Sequence, residues 1–355
     1  MSADSLGSRL LDGATRPFDG VRRLALAWIA KSRVLTRVVG TRDLRVPTIA
    51  SVQIALFFAL AVCAPIVMFV VGPLLLGVPH LASDVRYLLL RRRPARALVM
   101  VCLGFAAALL CVRAASWLGH PLPRAYTIEI VLGTSWVLTA LALGTRARPG
   151  RARAPLLFVA IALAGAWMLA HPLWTRLILA HGHNVFGVVL WFVLFRRAKR
   201  FAALPLALVG LGVVALLSGS FLPTALTVGD RAFGMHLAML GRSLAPGADP
   251  HFAVSVVLSF VFLQSVHYAT WLAWVPQEEL PGQGTFTFRM TARGLLRDFG
   301  APLLMIFALL WAALAGWSLF SPQRALGAYI SLVSFHAWLE FALTAYLWAR
   351  AEDRR

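Results

Sequence analysis

Charged residues are scarce in this sequence. Only 14% of its 355 residues are charged and 60% are hydrophobic, whereas soluble proteins carry about 25% charged residues. With a mean hydropathy of +0.77, the chain is too apolar for a soluble globular domain, a disordered chain or a fibrous repeat. The composition therefore predicts an all-α fold, a polytopic integral-membrane helical bundle.

Cysteine and lysine are also rare. Cys63, Cys102 and Cys111 form no CxxC pair, which argues against a zinc knuckle and a disulfide framework, and we expect them to be small core residues. Lys31 and Lys199 are the two lysines, so arginine carries nearly all of the net charge of +20. Because the arginines stand between apolar runs, they predict membrane topology and contacts with anionic lipid headgroups, and no nucleic-acid binding.

Several functional signatures are missing from the sequence. It has no GxSxG or Ser–Lys arrangement, which disfavours nucleophilic hydrolysis. It lacks the HxxHH-type boxes of membrane desaturases and alkane hydroxylases. It also has no internal repeat, so it lacks the internal sequence symmetry that inverted-repeat transporters usually show.

Long apolar runs begin after Pro47, each close to the roughly 20 residues that a membrane-spanning helix needs. Residues 1–48 are predicted to form a basic cytoplasmic or interfacial segment, and residues 49–350 a single transmembrane domain. Arginine clusters follow every second run, which places both termini in the cytoplasm and fits a bacterial inner membrane. The ten predicted spans are 49–70, 72–90, 97–118, 127–144, 155–171, 176–195, 202–221, 252–275, 299–320 and 326–349.

Two further segments mix apolar and basic residues. The stretch 18–39 predicts a helix lying on the membrane surface, with an Arg-rich organellar presequence as the alternative. The stretch 286–299 is amphipathic as well, and we expect it to rest on the inner membrane surface.

Ionisable residues inside a span cost a few kcal/mol and are therefore functional candidates. His80 and Asp84 are four residues apart and share one helix face, and Pro79 kinks the helix beside them. The alternative is an Asp–Arg or Asp–His pair that only holds helices together. His336 and Glu340 repeat the same spacing in the last span, where both side chains can reach one cation.

Two other spans add histidines. His181 and His183 cannot both face inward from a regular helix, and depth favours His183 as the one facing the bundle. His267 has Gln264 one turn before it, and this amide is predicted to contact a cofactor or to orient the histidine. At a rise of 1.5 Å per residue, His80, His183 and His336 lie about 10–15 Å from the outer end of their spans and His267 about 22 Å.

This set of residues predicts a metal site formed by His80, Asp84, His183, His267, His336 and Glu340. Histidine and carboxylate ligands without cysteine suit iron, zinc, copper or manganese. Burial in a bilayer favours an apolar, lipid-like substrate that enters from the lipid. The sequence thus indicates a metal-dependent oxygenase or related oxidoreductase, while metal-activated water would give a hydrolase.

The segment GVPHLASD resembles the GxPHGxxDH signature of the Brp/Blh family of integral-membrane β-carotene dioxygenases. Gly77, Pro79, His80 and Asp84 match the signature. Leu81 stands where the family has glycine, and Val85 stands at its second histidine. The resemblance implies a many-span fold, histidine-bound iron and oxidative cleavage of a carotenoid to retinal.

Two other readings remain open at this point. The buried His, Asp and Glu residues also suit a transporter, with a proton or ion pathway, or a cofactor-carrying protein such as a haem carrier. The same residues can instead be polar contacts in a structural subunit.

Overall fold

The computed structural model describes residues 3–120, 122–146, 154–280 and 287–350. The described chain is almost entirely helical, as the composition predicts. Helices α1 to α16 occupy, in chain order, Ala3–Ile29, Arg33–Gly40, Arg42–Cys63, Pro65–Asp84, Arg96–Trp117, Ala125–Arg146, Ala154–Ala170, Pro172–Leu190, Ala203–Leu217, Leu222–Val228, Leu237–Leu244, Pro250–Ala269, Val275–Glu278, Phe288–Ser318, Pro322–Leu332 and His336–Arg350.

Three helices continue into short π-helical segments, in which the backbone hydrogen bonds skip one extra residue. These segments are Val85–Leu90 after α4, Trp191–Phe195 after α8 and Thr270–Trp274 after α12. The only extended structure in the described residues is a two-residue antiparallel pair, β1 (Arg231–Ala232) with β2 (Met235–His236).

Eight helical stretches within the described residues are long and apolar enough to cross a membrane. A ninth span is formed if α9 and α10, bent by 78° at their junction, are counted together. The predicted run 155–171 is α7, a helix of 17 residues that is shorter than the others. An integral-membrane helical protein is therefore supported, while the count of ten spans stays a prediction. The eight stretches are Arg42–Cys63, Pro65–Leu90, Arg96–Trp117, Ala125–Arg146, Leu177–Phe195, Pro250–Glu278, Phe288–Ser318 and Pro322–Arg350.

Several predicted boundaries were wrong. The first span does not run from 49 to 70, because α3 starts at Arg42 and ends at Cys63, and α4 starts at Pro65. Proline cannot donate the backbone hydrogen bond that would continue α3. The predicted surface helix 18–39 is divided between α1 and α2, and Ser32 caps the start of α2.

The amphipathic segment 286–299 is helical from Phe288, and residue 286 lies outside the described residues. Gly300 ends this part with a φ of 71° and a ψ of 163°, a conformation that glycine adopts without a Cβ clash. The rest of α14 then continues in a different direction as the predicted span.

The contacts divide the chain into two compact units. The first unit comprises Met1–His80 with Asn184–Gly316, and the second Leu81–His183 with Trp317–Arg355. The division falls inside α4, α8 and α14, so each of these three helices contributes residues to both units.

The first unit is organised around α12, most of whose residues are buried on every face. Such a helix is apolar all round because it has no side left for solvent or lipid. It packs against α3, α9 and α11. At the end of the same unit, the buried carboxylate of Glu278 accepts hydrogen bonds from the backbone N–H groups of Arg197 (2.8 Å) and Ala198 (2.9 Å).

The second unit is organised around the contact of α6 with α16, and α5 and α7 pack on α6. Two glycines of α6 allow close approach of α16. A Cβ at Gly133 would overlap the Trp338 ring, and a Cβ at Gly144 would lie 2.9 Å from the carbonyl oxygen of Tyr346. Small residues at such contacts let membrane helices pack by van der Waals forces, which replace the hydrophobic driving force of water.

The cysteine prediction was correct for one residue of three. Cys102 is buried, whereas Cys63 and Cys111 are exposed, and all three are free. The exposed pair lies on outward-facing positions of α3 and α5, where an apolar thiol side chain meets lipid in a spanning helix.

Candidate metal centre

A pair of histidines lies at the centre of the first unit. His80 of α4 and His267 of α12 are both completely buried. Their Nε2 atoms are 3.0 Å apart, and the rings meet edge to face, with an interplanar angle of 74°. Tyr268 and Trp271 pack around His80, at ring-centre distances of 5.3 Å and 6.2 Å. Aromatic side chains therefore pack directly against this buried pair.

Glycine allows α8 to approach this pair. A Cβ at Gly187 would overlap the Nδ1 atom of His267 and would lie 2.9 Å from its Cε1 and 3.3 Å from Trp271 Nε1. Because Gly187 has no side chain, the His267 ring packs between the backbone of α8 and the aromatic side chains. Sequence reasoning missed this residue, because one glycine in a helical pattern does not show which side chain it accommodates.

The estimated depth of His80 was wrong, whereas that of His267 changes by only two residues. Counted from the real start of α4 at Pro65, His80 lies 15 residues in, about 22 Å along the helix, and His267 lies 17 residues beyond Pro250, about 25 Å. The predicted start at residue 72 had made His80 too shallow by two helical turns. The corrected positions agree with the direct contact of the two rings.

A second pair of histidines lies in the second unit. His183 of α8 and His336, the first residue of α16, again place their Nε2 atoms 3.0 Å apart, with an interplanar angle of 84°. The Nδ1 atom of His183 lies 3.4 Å from Glu340 Oε2. The Nδ1 atom of His336 lies 2.6 Å from the carbonyl oxygen of Val333.

Two carboxylates belong to this second cluster. Asp84 and Glu340 are both completely buried, and a carboxylate oxygen of each lies within 4.8 Å of one of the other. Two negative charges at that separation repel by about 3 kcal/mol at an effective dielectric constant of 20, in addition to the cost of burial. A cation or a proton must therefore accompany the pair.

Each histidine pair has a geometry suitable for binding one metal ion. With metal–nitrogen bonds of about 2.0–2.1 Å, two nitrogens 3.0 Å apart subtend about 90° at the metal. That angle is the one between neighbouring positions of an octahedron, the geometry of many iron and manganese sites. The second cluster adds carboxylate oxygens, which suit the same metals.

The π-helical segments follow the three helices that carry His80, His183 and His267. Each segment begins within eight residues of its histidine, at Val85, Trp191 and Thr270. π-Helical turns in α-helices occur frequently at functional sites, because they re-aim nearby side chains at a cost in hydrogen bonding. This feature supports the assignment of these helices to a functional centre.

The other candidate residues are placed as follows. Gln264 is half-buried on α12 and does not hydrogen-bond to His267 within the described residues. Glu129, a further buried carboxylate, pairs with Arg113 of the preceding helix. His181 is half-buried, while its neighbour His183 forms the contacts described above.

Comparison of the chain with models of protein families, with curated proteins and with solved structures gives no match. The resemblance to the Brp/Blh family therefore rests on the GVPHLASD segment alone, and what it implies stays a prediction.

Proposed function

We propose that this chain is an integral-membrane metalloenzyme that oxidises an apolar, lipid- or carotenoid-like substrate with molecular oxygen. The observation that carries the proposal is the cluster of His183, His336, Asp84 and Glu340 in the second unit. Two imidazoles and two carboxylates meet there inside apolar helices. The ten-span topology, cytoplasmic termini and a bacterial inner membrane belong to the same proposal.

The charge of this cluster argues for a divalent metal. Two buried carboxylates carry up to two negative charges, and a divalent cation neutralises both without leaving a buried charge uncompensated. Two histidines with a carboxylate form the ligand set typical of non-haem iron oxygenases. Iron is therefore the first candidate, and bound iron would supply activation of molecular oxygen.

The protein residues have separate roles in this proposal. His183 and His336 would hold the metal through Nε2, and the apolar walls of the unit exclude water from the reacting groups. In the first unit, His80 and His267 form a second two-nitrogen site of the same geometry. Carotenoid cleavage, which the GVPHLASD segment suggests, is one reaction of this class.

A groove in the first unit fits the apolar substrate class. It has a volume of about 310 Å³ and lies between α3 and α9, with an apolar lining throughout. Both helices belong to stretches apolar enough to cross a membrane, so the groove can take up an acyl or isoprenoid chain from the lipid. The lining residues are Ile54, Ala55, Phe58, Leu208, Leu211, Gly212 and Ala215.

Elemental analysis of the detergent-purified full chain tests the metal. We expect iron or another transition metal at one or two ions per chain, and a marked loss in His336→Ala. The control is His120→Ala, since His120 is an exposed histidine outside both clusters. A metal-free protein from metal-replete medium, or equal metal in all three proteins, would contradict the proposal. Oxygen uptake with lipids and carotenoids then tests the reaction.

A proton or ion pathway is the second candidate. The contact of His183 Nδ1 with the Glu340 carboxylate at 3.4 Å supports it, because alternating imidazoles and carboxylates can pass a proton. Proton flux in sealed vesicles separates the two functions. Flux that persists without metal and is lost in Glu340→Gln would favour transport.

A further inference from the structure

The helix break before His336 gives this histidine a fixed orientation. Residues 333–335 form a turn between α15 and α16, so the carbonyl oxygen of Val333 is available at the start of α16. It accepts hydrogen bonds from the backbone N–H of His336 at 3.0 Å and from its Nδ1–H at 2.6 Å. A carbonyl only accepts, so neutral His336 carries its proton on Nδ1, and its Nε2 presents a lone pair.

The same reasoning applies to His183. Its Nε2 faces the Nε2 of His336, and its Nδ1 faces Glu340. An ionised carboxylate only accepts hydrogen bonds, so Glu340 favours the proton of His183 on Nδ1. Both Nε2 atoms then present lone pairs to each other across 3.0 Å, an arrangement that two neutral imidazoles cannot stabilise but a shared cation can.

We propose that Glu340 is a positioning residue, which acts through His183 Nδ1 and fixes Nε2 as the metal-binding atom. The inference rests on the proposed function and refines one of its residues. The four-residue spacing of His336 and Glu340 had suggested that both reach one cation directly. The structure instead places Glu340 Oε2 3.4 Å from Nδ1 of His183, the ring nitrogen that does not face His336.

Carboxylates that orient a metal-binding histidine are a general feature of metal sites. Their removal weakens metal binding by about 10–100-fold, because the histidine loses its tautomer and its orientation. The ligand atoms themselves do not change. A positioning role therefore predicts a weaker site with an unaltered coordination sphere, whereas a ligand role predicts a changed one.

The test uses Co²⁺ as a spectroscopic probe of the full chain in detergent. Titration of the wild type, Glu340→Gln, Glu340→Ala and His183→Ala gives an affinity and a visible spectrum for each protein. We expect Glu340→Ala to bind about 10–100-fold more weakly with the wild-type spectrum. We expect Glu340→Gln to recover most of the affinity, because an amide oxygen at this position can accept a hydrogen bond from His183 Nδ1–H. His183→Ala should change the spectrum.

Glu129→Gln is the matched control, since it removes another buried carboxylate of the second unit. We expect it to retain wild-type affinity. Wild-type affinity in Glu340→Ala, or equal losses in Glu340→Ala and Glu340→Gln, would overturn the positioning role alone. A changed spectrum in Glu340→Gln would make Glu340 a ligand and would also overturn it. Failure of the wild type to bind Co²⁺ would instead remove the proposed function and this inference together.

Discussion

The two histidine pairs have the same core geometry and different surroundings. In each, two Nε2 atoms lie 3.0 Å apart with the rings edge to face. In the first unit Tyr268 and Trp271 pack beside His80. In the second unit His183 Nδ1 lies beside Glu340 Oε2, and His336 Nδ1 lies beside the carbonyl oxygen of Val333. The group that faces Nδ1 decides which ring nitrogen carries the proton, and therefore what an imidazole pair can do.

The two pairs differ in how their protons can be arranged. One imidazole of the first pair can donate Nε2–H to the other, and two neutral rings arranged in this way need no ion. The second pair lacks this solution when Glu340 is ionised, because both protons are then directed to Nδ1. We therefore infer that the second cluster binds a divalent cation more tightly than the first pair.

The largest expected difference between the pairs is in metal affinity. We expect His183→Ala to lower Co²⁺ affinity at least about 100-fold, because it removes a ligand at the charged cluster. In His80→Ala, the Co²⁺ affinity of the second cluster should stay within about tenfold of the wild-type value. Competition titration with a chelator measures both. A larger loss in His80→Ala than in His183→Ala would reverse the comparison.

The second prediction concerns the scaffold of the charged cluster. Gly133→Ala places a methyl group where the Trp338 ring lies, and overpacking of this kind costs about 1–3 kcal/mol. The free energy of unfolding in detergent should fall by that amount. Gly104→Ala is the control within the same unit, because a Cβ there meets nothing within 4 Å. Equal stability of the two variants would contradict the tight contact of α6 with α16.

The third prediction perturbs the first histidine pair. Gly187→Ala would push the His267 ring out of its position, so metal binding at the first pair should weaken about tenfold or more. Gly210→Ala is the control, with nothing within 4 Å of its Cβ. An equal effect of the two substitutions would show that the approach of α8 does not position His267.

The smallest expected effect concerns the groove. Ala215→Trp fills part of the apolar groove between α3 and α9, and turnover of a long apolar substrate should fall several-fold. Metal content should stay unchanged, because the substitution touches neither histidine pair. Val214→Trp, at an exposed position of the same helix outside the groove lining, is the control. Equal turnover in both variants would exclude the groove as the substrate site.

Much of the candidate centre follows from ionisable residues in apolar runs. His80, Asp84, His183, His267, His336 and Glu340 could be identified because a buried charge in a bilayer is costly and therefore rare. Their pairing could not be identified. The depth count failed at His80 because it depended on the start of α4, and proline at position 65 moved that start by seven residues.

Composition and hydropathy alone indicated a helical membrane protein, because continuous apolar runs of about 20 residues are typical of helices that satisfy their backbone hydrogen bonds within one segment in lipid. Tertiary structure alone decided which histidines meet, that Glu340 faces His183 Nδ1, and that Val333 and Gly187 matter at all. These features depend on a carbonyl released by a helix break and on a backbone that approaches a ring. Neither leaves a periodic signal, because the first depends on where a helix breaks and the second on a contact between helices that lie far apart in the sequence.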